Sequence, residues 1–251
     1  MSGHSKWKTI QHKKGAADAK RGKIFSKLSK EIIVVAKTGG GNPDMNPSLR
    51  TLIQKARGVN MPADNIDRAI KKGTGELEGA IYEEVSYEGF AAGGVGIVVK
   101  ALTDNKNRAA AEIRHIFNKH GSSFATVGSV SRGFKRKGQI FVKTQDIDEA
   151  KLMDIVLEAG ADDMRQDGDQ FEILTDPSAF HQVSDAIKKA GITPVAEEVT
   201  LVPDTYVPVN DKAVASSLFR FTEDLEDNDD VQNVYTNMDV SDEVIAHLEK
   251  G

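Results

Sequence analysis

The sequence contains no cysteine, and it has only one tryptophan and seven prolines among 251 residues. The absence of cysteine excludes a disulfide framework, cysteine-ligated zinc, an iron–sulfur cluster and a cysteine nucleophile. No apolar run approaches the length of about 18 residues that a transmembrane helix needs. The first residues also lack the apolar core of a secretion signal. These absences fit a globular protein of the reducing cytoplasm, which is the predicted location.

Charge is plentiful, and it is unevenly distributed along the chain. Residues 1–80 contain 16 Lys and Arg against 7 Asp and Glu, whereas residues 81–251 contain 17 against 31. A basic end on an acidic body predicts a polyanionic partner for that end, most often nucleic acid. An anionic membrane and a merely solvated helix are the alternatives. The membrane is disfavoured, because the apolar residues between Ile24 and Ala36 have the spacing of a helix packed on protein.

Residues 1–80 are predicted to form a basic helical domain with a flexible arm at its start. Helices are indicated over residues 16–37, from Asn46 to Gly58 and from Pro62 to Gly73, by apolar periodicity and by the residues that cap or stop them. Gly73–Gly79 is then a linker.

Strand patterns dominate the rest of the chain. Strands are predicted at 82–88 and 95–102, a helix at 107–119 and a strand within 126–135. Residues 139–202 then follow the βαββαβ order of a ferredoxin-like unit. A helix near 212–226 and a strand at 231–235 supply the αβ pair that the earlier block lacks.

The predicted fold class is therefore α+β, with an N-terminal helical domain and two ferredoxin-like-type α/β domains. The predicted boundaries are 1–80 for the first domain, 81–135 with 205–251 for a discontinuous second domain, and 136–204 for a third domain inserted into the second.

The basic arm and the first helix supply the candidate nucleic-acid contacts. Trp7 lies among lysines, and an aromatic ring among cations is typical of single-strand binding, where the ring stacks on a base. The alternative is that Trp7 anchors the arm to its own domain. The predicted nucleic-acid-binding residues are His4, Ser5, Lys6, Trp7, Lys8, Lys13, Lys14, Lys20, Arg21, Lys23 and Lys27.

A second candidate site lies at the turn between the strand 95–102 and the helix that follows. Asp104 or Asn105 is placed to cap that helix. Asn107 and Arg108, at the helix N-terminus, are placed to meet a phosphate or carboxylate, and the two roles are compatible. Asp104, Asn105, Asn107 and Arg108 are the predicted cleft residues.

Other chemistry finds little support. The six histidines lack metal-ligand spacing, no Walker A sequence occurs, and neither a metal nor a cofactor is predicted. Residues 132–137 contain a second basic cluster, which either widens the nucleic-acid surface or protects a strand edge. The acidic stretch 223–230 either ends a helix in a solvated loop or holds the basic arm in place of nucleic acid.

Several motifs resemble those of the YebC/PmpR family, whose mitochondrial relatives include the translational activator of cytochrome oxidase. They cover most of residues 3–135 in order. The matching segments are Gly3–Trp7, Lys20–Phe25, Asn60–Pro62 with Asn65 and Ile66, Tyr87–Gly89, Thr103–Asn105 with Asn107 and Arg108, and Gly128–Val130. The segment Arg132–Lys137 departs from the family pattern, because it is more basic than expected there.

The resemblance implies three domains around a cleft and a cytoplasmic, non-enzymatic protein of the bacterial type. It implies a DNA-binding transcriptional regulator or, alternatively, a ribosome-associated factor that binds ribosomal RNA and assists translation of difficult stretches such as consecutive prolines. Nucleic acid, and through it the ribosome, is then the expected partner, with no membrane and no small-molecule substrate. An enzyme using the cleft and a pure protein scaffold are the competing hypotheses.

Overall fold

The computed structural model describes residues 18–241 and 243–245, with side chains from Arg21 onward. Three helices form the N-terminal region: α1 (Asp18–Gly39), α2 (Pro47–Gly58) and α3 (Ala63–Thr74). Their apolar faces meet in one core, which contains Leu28, Ile32, Leu49, Ile53 and Ile66. The helices predicted over this region are confirmed, with ends that differ by up to two residues.

The turn between α1 and α2 is built around the buried side chain of Asn46. Its amide nitrogen donates to the carbonyl oxygens of Val35 and Gly40, and its oxygen accepts from the backbone N–H of Leu49, which caps α2. A Cβ on Gly39 would lie 2.6 Å from the Asn46 amide nitrogen. Gly40 adopts φ +82°, a conformation that L side chains avoid. Helix α1 therefore ends at glycine for steric and conformational reasons together.

The first sheet contains four strands in the order β3-β1-β2-β9. The strands are β1 (Glu83–Phe90), β2 (Gly96–Thr103), β3 (Ser123–Ala125) and β9 (Val231–Thr236). Helices α4 (Lys106–Lys119) and α7 (Lys212–Glu226) accompany it. Phe117 of α4 meets Phe221 of α7 edge to face, with ring centroids 4.9 Å apart. Strand β9 thus joins this sheet although the whole second sheet lies between β3 and β9 in the sequence.

The segment after β3 differs from the sequence-based expectation. The strand predicted within 126–135 is present only at its last two residues, where β4 begins. Instead, Ser129 donates its N–H to the Thr126 carbonyl oxygen in a β-turn, and Gly128 has φ +92°. The fully buried Glu88 carboxylate accepts from the backbone N–H groups of Gly128 and Val130, at 2.8 and 2.7 Å. A side chain thus satisfies donors that a strand ladder would otherwise use.

The second sheet has the order β5-β6-β4-β7, and all of its neighbouring strands are antiparallel. This is the strand order of a ferredoxin-like βαββαβ unit. The elements are β4 (Phe134–Lys143), α5 (Glu149–Glu158), β5 (Ala161–Asp167), β6 (Gln170–Thr175), α6 (Phe180–Lys189) and β7 (Ala196–Pro203). Helix α6 starts at Phe180 rather than 177, because the Asp176 carboxylate accepts from the Ser178 N–H in a local turn.

A short parallel pair, β8 (Val207–Val209) with β10 (Met238–Val240), was not expected from the sequence. Among the described residues, 131–215 with 236–241 and 243–245 form one compact unit, and 18–130 with 216–235 form another. The α+β class with a helical N-terminal region is confirmed, while the domain boundaries at 80, 135 and 204 stay predictions. None of the described helices is long and apolar enough to cross a membrane.

Candidate nucleic-acid interface

Three lysines form a row along one face of α1, because Lys23, Lys27 and Lys30 are spaced by four and three residues. This lysine row meets the end of α7 and the residues after it, Glu226–Asp230, here called the acidic segment. Lys27 Nζ donates to the Glu226 carbonyl oxygen at 2.5 Å. Lys23 Nζ donates to the Asp227 carbonyl oxygen at 3.0 Å and lies 3.2 Å from the carboxylate of the same residue. Two of the predicted nucleic-acid contacts are therefore engaged within the chain.

The C-terminal end of α7 explains why lysines collect there. The last carbonyl groups of a helix have no partner inside the helix and carry the negative end of its dipole. Lysine Nζ groups satisfy such carbonyls and oppose the dipole charge. Burial lowers the pKa of Lys27, although the nearby carboxylates of Glu226 and Asp227 act in the opposite direction.

Asp230, at the end of the acidic segment, is the centre of a polar network. Its carboxylate accepts hydrogen bonds from Lys30 Nζ at 2.7 Å, from Arg108 Nη2 at 2.8 Å and from the Thr103 hydroxyl at 2.8 Å. The side chain is only 5% exposed. Burial alone would raise the pKa of Asp230, but the three donors outweigh it and hold the pKa below its ordinary value.

The predicted cleft residues lie at the start of α4, and three of the four have structural roles. Asn105 caps the helix by accepting from the backbone N–H of Arg108 at 3.1 Å. Arg108 Nη2 contacts the carboxylates of Asp104 and Asp230, both at 2.8 Å. Asn107 is exposed and has no side-chain partner in the described part of the chain. The hydrogen bonds that Arg108 donates to Asp230 and then to Asp104 raise its pKa, so the guanidinium stays charged.

A small polar pocket lies between α1 and the start of α4. Its lining includes two cations and four carboxylates, together with two hydroxyl groups: Ser26, Lys30, Tyr82, Asp104, Arg108, Glu112, Asp229 and Asp230. Both cations already contact carboxylates of this lining. The pocket therefore has no uncompensated positive charge with which to hold a phosphate, and the helix-capping role is the one that this geometry supports.

The remaining predicted contacts divide into two groups. His4, Ser5, Lys6, Trp7, Lys8, Lys13 and Lys14 lie outside the described residues, as does the Lys20 side chain. Arg21 is exposed on the first turns of α1.

Five basic side chains outside the predicted set of nucleic-acid contacts are open to solvent on α2 and α3. These open cations are Arg50 and Arg57 of α2 and Arg68, Lys71 and Lys72 of α3. No partner is found for any of them among the residues that the structure describes. The available signal was the excess of basic residues in 1–80, which continues beyond the first helix.

The second basic cluster is partly neutralised. Lys135 pairs with Asp204 at 2.9 Å and Lys137 with Asp162 at 2.7 Å, while Arg132 and Arg136 are exposed. Strand β4 pairs with β7 over residues 134–141 but with β6 only over residues 138–143, so the basic part of β4 has a strand on one side only. Both predicted roles of this cluster therefore stay open. Within the described ranges, no group of three His, Asp or Glu side chains is arranged to hold a metal ion.

Comparison with known proteins identifies the family that has this architecture. Residues 5–76 match the family model for the TACO1/YebC protein N-terminal domain, and residues 82–238 match the model for the TACO1/YebC second and third domain. The chain belongs to the TACO1/YebC family. Because the family model for the later domains alone covers more than half of the chain, this assignment includes both sheets as well as the helices.

Similar TACO1/YebC relatives extend over nearly the whole chain. A probable transcriptional regulatory protein of Desulfatibacillum aliphaticivorans is 56% identical over 98% of this chain and 99% of its own. Another, from Geobacter sulfurreducens, is 53% identical over 99% of this chain and 100% of its own. The crystal structure of a conserved hypothetical protein from Aquifex aeolicus matches with a TM-score of 0.77 and 44% identity. It covers 90% of this chain and 93% of that one.

Proposed function

We propose that the protein is a non-enzymatic, cytoplasmic regulator of gene expression that binds DNA through its basic helical region. It uses no cofactor, small-molecule substrate or membrane. The observation that carries the proposal is the set of open cations on α2 and α3, which lie in the most basic part of the chain and have no carboxylate partner among the described residues. Unpaired surface cations gain most from a polyanion, because binding releases its condensed counterions.

The spacing of the open cations suits contact with a phosphate backbone. Arg50 and Arg57 are seven residues apart on α2, and Arg68 and Lys72 are four apart on α3, so each pair shares one face of its helix. The buried residues Leu49, Ile53, Ile66 and Ala69 lie on the core side of the same two helices. Each helix thus directs its apolar side to the core and its cations to solvent.

The charges of α3 disfavour base reading in the manner of a helix-turn-helix protein. A short turn joins α2 to α3, as in that motif, and the motif inserts the N-terminal residues of its second helix into the major groove. Here those residues include the exposed Asp64 and Asp67, whose carboxylates the phosphates would repel. We therefore infer contacts to the phosphate backbone, which set position and affinity but carry no sequence information directly.

Two nucleic-acid partners are compatible with such contacts. The relatives named probable transcriptional regulatory proteins support DNA and a role in transcription. Contacts limited to the phosphate backbone are equally suited, as the second candidate, to RNA recognised largely by shape. In that alternative the protein is a ribosome-associated factor that binds ribosomal RNA and assists translation of proline-rich and other difficult stretches.

A binding titration of the full chain tests the proposal. Duplex DNA, a structured ribosomal RNA fragment and single-stranded RNA of similar length are titrated by fluorescence anisotropy at several salt concentrations. The variant Arg57→Gln with Arg68→Gln and Lys72→Gln removes three open cations. The control, Lys151→Gln with Lys189→Gln and Lys212→Gln, removes the same charge from exposed positions on α5, α6 and α7.

We expect the α2–α3 variant to lower the log–log salt slope by about 1 for each lost phosphate contact, while the control keeps the wild-type slope. Stronger binding of duplex DNA supports the transcriptional role, and stronger binding of the ribosomal RNA fragment supports the alternative. No binding of any nucleic acid by the wild-type chain would contradict both and favour a protein scaffold.

A further inference from the structure

The contact between the lysine row and the acidic segment resembles a nucleic-acid complex in its chemistry. Lysine Nζ groups spaced along one helix face meet a series of oxygens: the carbonyls of Glu226, Asp227 and Asp229 and the carboxylates of Asp227 and Asp230. A phosphate backbone would offer the same row negatively charged oxygens. Nucleic acid and the acidic segment therefore require the same donors.

The two ends of this contact differ in exposure. At one end, the side chains of Lys23 and Asp227 are 40% and 56% exposed. At the other, those of Lys30 and Asp230 are 12% and 5% exposed, and Lys30 also lies 5.5 Å from the centre of the Tyr82 ring. Solvent and salt screen the first pair strongly and the second weakly. The contact is thus weakest at Lys23, near the start of α1.

We propose that the acidic segment is an intramolecular competitor that covers the lysine row until nucleic acid displaces it. On binding, Lys23 and Lys27 exchange protein oxygens for phosphate oxygens, whereas Lys30 stays on Asp230 and keeps the segment attached. This inference rests on the proposed function. It gives Glu226–Asp230 a regulatory role, because the affinity of the helical region for any polyanion then includes the cost of releasing the segment.

The partners and the charges in this contact both support competition rather than simple packing. The three contacted carbonyls have lysines as partners, and water can replace a lysine at an accessible helix end. A carboxylate that follows a helix C-terminus is itself unfavourable for the helix dipole, and Asp227 and Asp229 are two exposed examples. The segment therefore carries more negative charge than ending α7 requires, and the lysine row is what compensates for it.

A crosslinking experiment can hold the segment on α1. Ser26 and Asp229 line the same pocket, and the chain has no natural cysteine. The variant Ser26→Cys with Asp229→Cys is therefore treated with a short bismaleimide, and each single-cysteine variant is treated identically as a control. Binding of a fluorescein-labelled duplex DNA and a labelled single-stranded RNA is then measured against salt concentration.

We expect the crosslinked chain to bind more weakly and with a salt slope lower by about 2, since Lys23 and Lys27 cannot reach phosphates. The treated single-cysteine controls should keep the slope of the untreated chain. A crosslinked chain with unchanged affinity and slope would overturn the inference and leave the proposed function intact. No binding by any form, crosslinked or not, would overturn both.

A charge variant tests the same competition without a crosslink. Asp227→Asn removes the exposed pair with Lys23 and should increase affinity about two- to fivefold, the fold-change that corresponds to one surface ion pair. Asp154→Asn is the control, because it makes the same change in net charge at an exposed position of α5, outside the acidic segment. Equal gains in the two variants would show only a general effect of charge and would count against competition.

Discussion

The basic side chains of α1 and those of α2 and α3 belong to one small helical region, yet their surroundings differ. In α1, Lys23, Lys27 and Lys30 all contact the acidic segment, through bonds that span about 200 residues of sequence, such as the 204 between Lys23 and Asp227. In α2 and α3, the open cations have no such partner among the described residues. A count of basic residues therefore overstates the charge available to a partner, and the structure identifies which of them are already neutralised.

The largest effect on stability is expected at Asp230, the carboxylate at the centre of the polar network. Asp230→Ala removes the buried carboxylate that accepts from Lys30 and from the Thr103 hydroxyl, and should lower the free energy of unfolding by about 2–4 kcal/mol. Urea denaturation measures the change. Asp229→Ala is the matched control, because the only contact that its neighbour Lys30 makes with Asp229 is to the backbone oxygen. Similar losses in both variants would refute the central role of Asp230.

Acid should remove the same stabilisation without a mutation. The pKa of Asp230 is lowered in the folded protein, so its carboxylate stabilises the fold above the ordinary pKa of about 3.9, and this contribution is lost as the pH falls toward the folded-state pKa. Asp230→Asn lacks the titrating group. The stability difference between wild type and this variant, measured by urea denaturation, should therefore be constant near neutral pH and shrink below about pH 4. A difference that stays constant to about pH 3 would show that the charge of Asp230 is unimportant.

The contribution of each lysine of the row to stability should depend on how buried its ion pair is. Lys30→Ala removes a largely buried pair and should cost about 1–2 kcal/mol of unfolding free energy, whereas Lys23→Ala removes an exposed pair and should cost less than about 0.5 kcal/mol. Thermal and urea denaturation of the two variants give the comparison. A greater loss for Lys23→Ala would reverse the order of the two ends and would argue against release beginning at Lys23.

The smallest effect on stability is expected for the open cations. Arg57→Gln with Arg68→Gln and Lys72→Gln should change the free energy of unfolding by no more than about 0.5 kcal/mol, because exposed side chains without partners contribute little to folding. The same variant is expected to weaken binding of nucleic acid. Its melting temperature and its salt slope, measured on one preparation, separate the two effects. A marked drop in melting temperature would mean that these cations have structural roles as well.

Local sequence signals predicted most of the secondary structure. The predicted helices and most of the predicted strands formed, because their apolar periodicity and capping residues act over a few neighbouring positions. The errors occurred where side chains from elsewhere competed with the local pattern. Glu88 accepts the N–H groups of Gly128 and Val130, so the segment that was expected to be a strand is a loop. The β8–β10 pair was missed because three-residue strands carry almost no pattern.

The candidate site was less predictable than the fold. The motif around Asn105 and Arg108 was recognised, and the helix cap was one of the two roles considered for it. Arg108 donates a hydrogen bond to Asp230, which is 122 residues away in sequence, and no local pattern connects the two. The sequence showed Asp230 only as part of an acidic stretch, although its side chain is 5% exposed in the folded protein.

By itself the sequence determined the α+β class, the positions of the helices and the separation of a basic helical end from an acidic body. These follow from composition and from periods of two and 3.6 residues, which tertiary packing rarely overrides in long amphipathic segments. The tertiary structure alone decided which charges are free. Lys23, Lys27 and Lys30 look no different in sequence from Arg50 or Arg68, but the fold brings the end of α7 against α1 and leaves α2 and α3 open. A charge acts on a partner only when no opposite charge is held closer, and that depends on distances that the order of residues does not contain.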